Sequence, residues 1–184
     1  MNSTTPLAPG RSCEGCTLCC KLMSVAELKK PRLVYCTHCD VGVGCKIYED
    51  RPPECGEFYC SYRLDASLGE EWRPSVCQML ISYEAASHRI NILVDPSIGS
   101  DWRKAPFYDR IKAMALDILN RRGHLVVWEG ANGIGILPHE DVFLGPPQPN
   151  QVVVAGRAMT ENGPEFMITV MDGDDPRIAG AKPT

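Results

Sequence analysis

The 184-residue chain contains no apolar run of the length that crosses a bilayer, which argues against a membrane partner. It has no long basic run and no basic patch interleaved with aromatics, which argues against nucleic acid. There is no P-loop. Gly133-Ile134-Gly135 lacks the following x-x-Gly and the strand–helix setting of a dinucleotide fingerprint. No glycine-rich turn in a βαβ setting suggests S-adenosylmethionine. Histidine is scarce: His88, His124 and His139 are scattered, and only His139, in Pro138-His139-Glu140-Asp141, stands beside acids. It reads as a surface or helix-start residue rather than a catalytic one. The start, Met1 to Arg11, has neither the basic opening nor the apolar core of a secretory signal and is expected to be a short disordered lead-in.

Cysteine is what the chain has in abundance. Nine of its ten cysteines fall in one stretch: Cys13, Cys16, Cys19, Cys20, Cys36, Cys39, Cys45, Cys55 and Cys60. Thiols this dense point to a metal site, an iron–sulfur cluster or a disulfide framework. Disulfides persist mainly in oxidising compartments, and no feature directs this chain to one, so a cytoplasmic location and thiolate-bound metal are expected. The two-residue gaps Cys13-x-x-Cys16 and Cys16-x-x-Cys19 agree, because such gaps let consecutive sulfurs converge on one ion. All nine are therefore candidate metal ligands.

The choice of metal stays open between zinc and iron. A bacterial ferredoxin-type run requires a fourth cysteine three residues on, followed by proline. Here Cys20 follows Cys19 at once and Lys21 comes next. Zinc has no such ordering rule and is the first expectation. An iron–sulfur cluster recruiting Cys36, Cys45, Cys55 or Cys60 is the second. His38, in Cys36-Thr37-His38-Cys39, is either a nitrogen ligand or a hydrogen-bond donor beside a sulfur site. Cys19 and Cys20 are expected to serve different ions, or one of them none. Cys77 stands apart and reads as a small buried hydrophobe.

Charge is unevenly spread. Up to Arg63 the chain carries eight Lys/Arg against seven Asp/Glu, and beyond it eleven against sixteen. A four-thiolate zinc site is formally doubly negative. Lys21, Lys29, Lys30, Arg32, Lys46 and Arg51 are either offsets to that charge or ordinary solvated cations.

The spacing Cys13-x-x-Cys16-x-x-Cys19-Cys20, followed by Gly44-Cys45-x-Ile47-Tyr48-Glu49-x-Arg51-Pro52-x-x-Cys55-x-x-Phe58-x-Cys60, resembles the CxxCxxCC family of zinc- or iron-chelating domains, the YkgJ-like cysteine-cluster proteins. The resemblance covers about residues 13 to 60. Gly56 stands where an arginine is common in that family, and Cys39 is additional to its usual pattern. The resemblance implies metal binding without an assigned reaction, so the enzyme question is open. A similar cysteine domain in flagellin lysine-N-methylases supplies the alternative, an iron–sulfur redox or modifying enzyme.

The remaining pattern predicts an α+β protein: an N-terminal cysteine-rich metal-bound module packed on a small, mostly antiparallel sheet with one main helix. A short helix is expected from Lys21 to Lys30, with Ser24 and Glu27 as a capping box and Pro31 as its end. Strands are expected at Gln78–Glu84 and His88–Val94, joined by Ala85-Ala86-Ser87. The main helix is Pro106–Arg122, with Phe107, Ile111, Met114 and Ile118 as its apolar stripe and Gly123 as its C-cap. Further strands are His124–Glu129, Ile134–Leu137, Gln151–Met159 and Glu165–Met171. The expected organisation is a lead-in at 1–11, the cysteine module at 12–63, an α+β region at 64–171 that forms one domain with the module, and a disordered tail at 172–184.

Overall fold

A computed structural model describes residues 6–161 and 163–178. The protein is α+β. Its elements are α1 (Leu18–Leu22), β1 (Cys39–Asp40), β2 (Gly44–Cys45), α2 (Pro53–Gly56), α3 (Ser61–Leu64), α4 (Pro74–Cys77), β3 (Met79–Glu84), β4 (Arg89–Val94), α5 (Phe107–Asn120), β5 (His124–Glu129), β6 (Asn132–Ile136), β7 (Asp141–Gly145), β8 (Gln151–Thr160) and β9 (Gly163–Asp172). They form a two-stranded β1–β2 ladder, a five-stranded sheet in the order β3-β4-β5-β6-β7, and a two-stranded β8–β9 ribbon. Among the described residues no helix is long and apolar enough to cross a membrane.

The chain divides into two compact units. One comprises residues up to Ser82 together with Leu93–Ile98; the other comprises Tyr83–Ile92 and everything from Gly99 onward. The cysteine-bearing unit is thus larger than the expected 12–63 module. It takes in α4, the start of β3 and the end of β4. Of the expected lead-in, residues 1–5 lie outside the described residues, and the rest belongs to this unit. From Ala8 to Arg11 the chain is docked, not free: Ala8 is buried, its amide donates to the Arg63 carbonyl at 2.8 Å, and the Arg11 guanidinium donates to the Asp65 carbonyl at 2.6 Å and lies over the Tyr62 ring.

The expected helix from Lys21 to Lys30 is not formed. Helix α1 ends at Leu22, Met23 is extended, and Val25 and Lys30 instead pair as an antiparallel bridge, with Lys29 at φ +50°. Lys30 explains why. Its buried side chain folds back so that Nζ donates to the carbonyls of Lys21, Met23 and Pro31. A helix would have used the first two carbonyls for its own ladder.

In the second unit α5 forms where its apolar stripe predicts. Ile111, Ala115, Ile118 and Leu119 are the buried positions, while Phe107 and Met114 are only half-buried. Arg122, not Gly123, takes the left-handed conformation at the helix end, with φ +64°. Gly123 serves another purpose: a Cβ there would lie 2.3 Å from the His88 carbonyl and 2.7 Å from the Ile118 side chain. Strand β5 is buried over almost its whole length, as befits a central strand, and pairs antiparallel with β6. Strand β7 had no counterpart in the sequence reading. The end of the tail, residues 179–184, lies outside the described residues. Its beginning is ordered by a Gly173 amide bond to the Asn150 carbonyl and an Asp175–Arg177 pair.

Candidate metal centre

Short turns deliver the cysteines. The Cys16 amide donates to the Cys13 carbonyl at 2.9 Å, and Gly15 between them sits at φ +70°, a backbone that glycine adopts freely. The Cys39 amide closes a second turn on the Cys36 carbonyl at 3.0 Å. Strands β1 and β2 then place Cys39 directly opposite Cys45. Pro52 and Pro53 start α2, which carries Cys55; Cys60 immediately precedes α3. All ten cysteines are free thiols.

Eight of the nine candidate ligands, Cys13, Cys16, Cys19, Cys20, Cys36, Cys39, Cys45 and Cys55, line one cavity of about 630 Å³. Its wall also includes His38, Lys30 and Arg63. The ninth candidate, Cys60, is buried and is not part of that wall. Cys19 and Cys20, neighbours in the chain, both line the cavity. Among the described residues no three His, Cys, Asp or Glu side chains stand close enough together to form a metal's ligand shell. The donor set itself suits a thiophilic ion, because soft sulfur donors select zinc, copper(I) or iron–sulfur clusters over hard cations.

The thiols are electrically coupled. The Cys20 thiol donates to Cys19, and that bond, with burial and the Cys19 charge, pushes its pKa far up. Cys39 in turn donates to Cys20, and the Thr17 hydroxyl donates to Cys39; burial leads the causes that push Cys39 up to about 11. Thr17 is buried, and its hydroxyl oxygen accepts from the Gly42 amide at 3.1 Å, which joins the two cysteine turns. Burial also raises Cys55, with Cys20, Cys36 and Cys45 adding to the rise. Without a cation these sulfurs keep their protons; one that displaces them relieves both burial and mutual repulsion.

Some counter-charge is already built in. The Lys30 ammonium is lowered by its own burial but raised by Cys36, Cys20, Cys19 and Cys55. It is the buried member of the six cations named above. Arg51 instead lies over the Tyr48 ring, 4.0 Å from its centre. Arg63, absent from the expected set, donates to Cys13 Sγ at 2.7 Å. Thr17 was legible in principle, since it occupies the gap between Cys16 and Cys19. Arg63 reaches Cys13 across 50 positions, which local spacing cannot indicate.

No family model, no curated protein and no solved structure matches this chain.

Proposed function

We propose that the protein is a metal-binding member of the CxxCxxCC, YkgJ-like group, holding zinc through cysteine thiolates in a largely structural role. The observation that carries this reading is the gathering of eight thiols, from two turns, helices α1 and α2 and strand β2, on one cavity wall. Cys19, Cys20, Cys36, Cys39, Cys45 and Cys55 would supply the thiolates at its centre. Lys30 supplies positive charge there, and Thr17 donates a hydrogen bond to sulfur. The bound ion would cross-link turns that contribute few apolar side chains to a core. A segment of below about 60 residues seldom folds on burial alone. A cytoplasmic location accords with free thiols.

One observation favours a second reading, an iron–sulfur redox or modifying protein. The cavity volume falls within the range of sites that hold small molecules and cofactors. Elemental analysis and the visible spectrum of protein purified without oxygen separate the two. Zinc in at least equimolar amount and no colour supports the first reading. Iron with sulfide and a brown solution supports the second. Less than about half an equivalent of zinc and iron together would defeat both, since structural sites fill almost completely.

A further inference from the structure

We propose that Cys13, Cys16, Cys60 and Cys77 form a metal site of their own, a four-thiolate centre for one divalent ion of the zinc class, separate from the site of the other six cysteines. The proposal rests on the metal-binding reading above and adds to it a ligand, Cys77, and a partition.

Hydrogen bonds tie together the segments that carry the four. Cys13 and Cys16 share one turn, with Glu14 between them. Two arginines tie that turn to the segments carrying the other two thiols. Arg63, three residues after Cys60, donates its guanidinium to Cys13 Sγ at 2.7 Å, and its amide donates to the Cys60 carbonyl at 2.9 Å. Arg73 donates its guanidinium to the Glu14 carbonyl at 2.8 Å, and its own carbonyl accepts from the Cys77 amide at 3.0 Å. Cys60 and Cys77 are both buried.

The thiol neighbourhoods divide accordingly. The cysteines acting on Cys60 are Cys13 and Cys16, and those acting on Cys77 are Cys16 and Cys60. Those acting on Cys39 and Cys55 are Cys20, Cys36 and Cys45. The two sets share no member.

One further feature fits a charged centre better than packing. The Nε atoms of Arg63 and Arg73 are buried without a hydrogen-bond partner. Glu70 already answers part of the Arg73 charge at 3.2 Å, but the two Nε donors themselves stay unsatisfied, which is costly for buried groups. Four thiols that release their protons to water on binding a divalent ion leave a double negative charge beside these two guanidiniums.

Cobalt(II) and zinc titration of the full-length, reduced protein tests the assignment. Cys77→Val is expected to bind one equivalent fewer than the parent protein, and Cys36→Ser is expected to retain the ion of the four-thiolate centre. Cys77→His keeps a ligand, so it should keep the parent stoichiometry while the sulfur-to-cobalt charge-transfer band of this centre weakens by about a quarter, one thiolate in four being lost. Full metal content in Cys77→Val would overturn the proposal and leave the metal-binding reading intact. If Cys77→Val does not fold, an unchanged cobalt band in Cys77→His overturns it equally. A parent protein that takes up neither ion would remove the metal-binding reading, and this proposal with it.

Discussion

The Lys21 ammonium lies 2.6 Å from Oδ2 of Asp95, a carboxylate whose side chain is 1% exposed. The pair joins the cysteine-bearing helix α1 to the segment that follows β4, and the Ser97 amide donates to the other carboxylate oxygen at 2.8 Å. Burial works against ionised Asp95, but Lys21 and Ser97 outweigh it and hold the carboxyl below its ordinary range.

Removing one partner should therefore be worse than removing both. Lys21→Met leaves a buried, uncompensated carboxylate and is expected to cost about 3 kcal/mol. Lys21→Met with Asp95→Leu should recover much of that loss. Denaturant unfolding of the three proteins at equal metal content checks this. A single variant as stable as the parent would show that the pair does not hold α1 in place.

Acid should act on the other unit through His124. Its imidazole is buried with Nε2 unpartnered, and burial first, then Arg89 and His88, lowers its pKa to about 4 against an opposing pull from Glu84. The folded state thus prefers neutral imidazole. Its contribution is present above the unfolded pKa of about 6.5 and is lost as pH falls from there towards 4, by a few kcal/mol at most. Thermal unfolding between these limits should show a steeper loss for the parent than for His124→Phe. Metal release in acid affects both proteins and cancels in the difference. Parallel curves would mean that His124 does not carry this sensitivity.

Gly123 is expected to tolerate no side chain. The His88 carbonyl that a Cβ would strike also accepts the His124 amide at 3.2 Å, so it cannot move away without loosening the start of β5. Gly123→Ala should destabilise by about 2 kcal/mol, in the range of overpacked sites. Gly156→Ala serves as the control, since nothing lies near its added methyl. Equal midpoints for the two variants would contradict the assigned role.

Withdrawing metal under reducing conditions should loosen the thiol-bearing turns first. With chelator present, limited proteolysis is expected to cut between Lys21 and Arg51 while the fragment from Gly99 to Asp172 resists. Uniform resistance after complete metal removal would show that metal does not hold these turns.

The parts of the fold that were legible are those whose apolar pattern is strong and local. Ile111 and Ile118 announce α5, and Leu125 to Trp128 announce β5. Strand β7 was missed because its apolar residues are not core: Phe143 is 70% exposed, and the strand is held by edge pairing with β6 across a bulge at Gly133/Ile134. The segment after Leu22 carried a genuine capping signature in Ser24 and Glu27, but the tertiary demand of the Lys30 ammonium for carbonyl partners overrode it. Spacing marked the cysteine turns well. It could not indicate that Arg63 would reach Cys13, or that Cys77 would join the neighbourhood of Cys60, because both depend on how distant segments pack.

The return of Leu93–Ile98 to the first unit sets an order of events during synthesis. When Cys60 leaves the ribosome nine thiols are present, yet neither Cys77 nor the carboxylate that answers Lys21 has been made. The carboxylate arrives only after the chain has passed through β3 and β4. The unit that holds the cysteine turns therefore stays incomplete while more than thirty further residues emerge, from Ser61 to Asp95. A fragment ending at Arg63, with every thiol of the CxxCxxCC pattern, would be frozen at that incomplete stage.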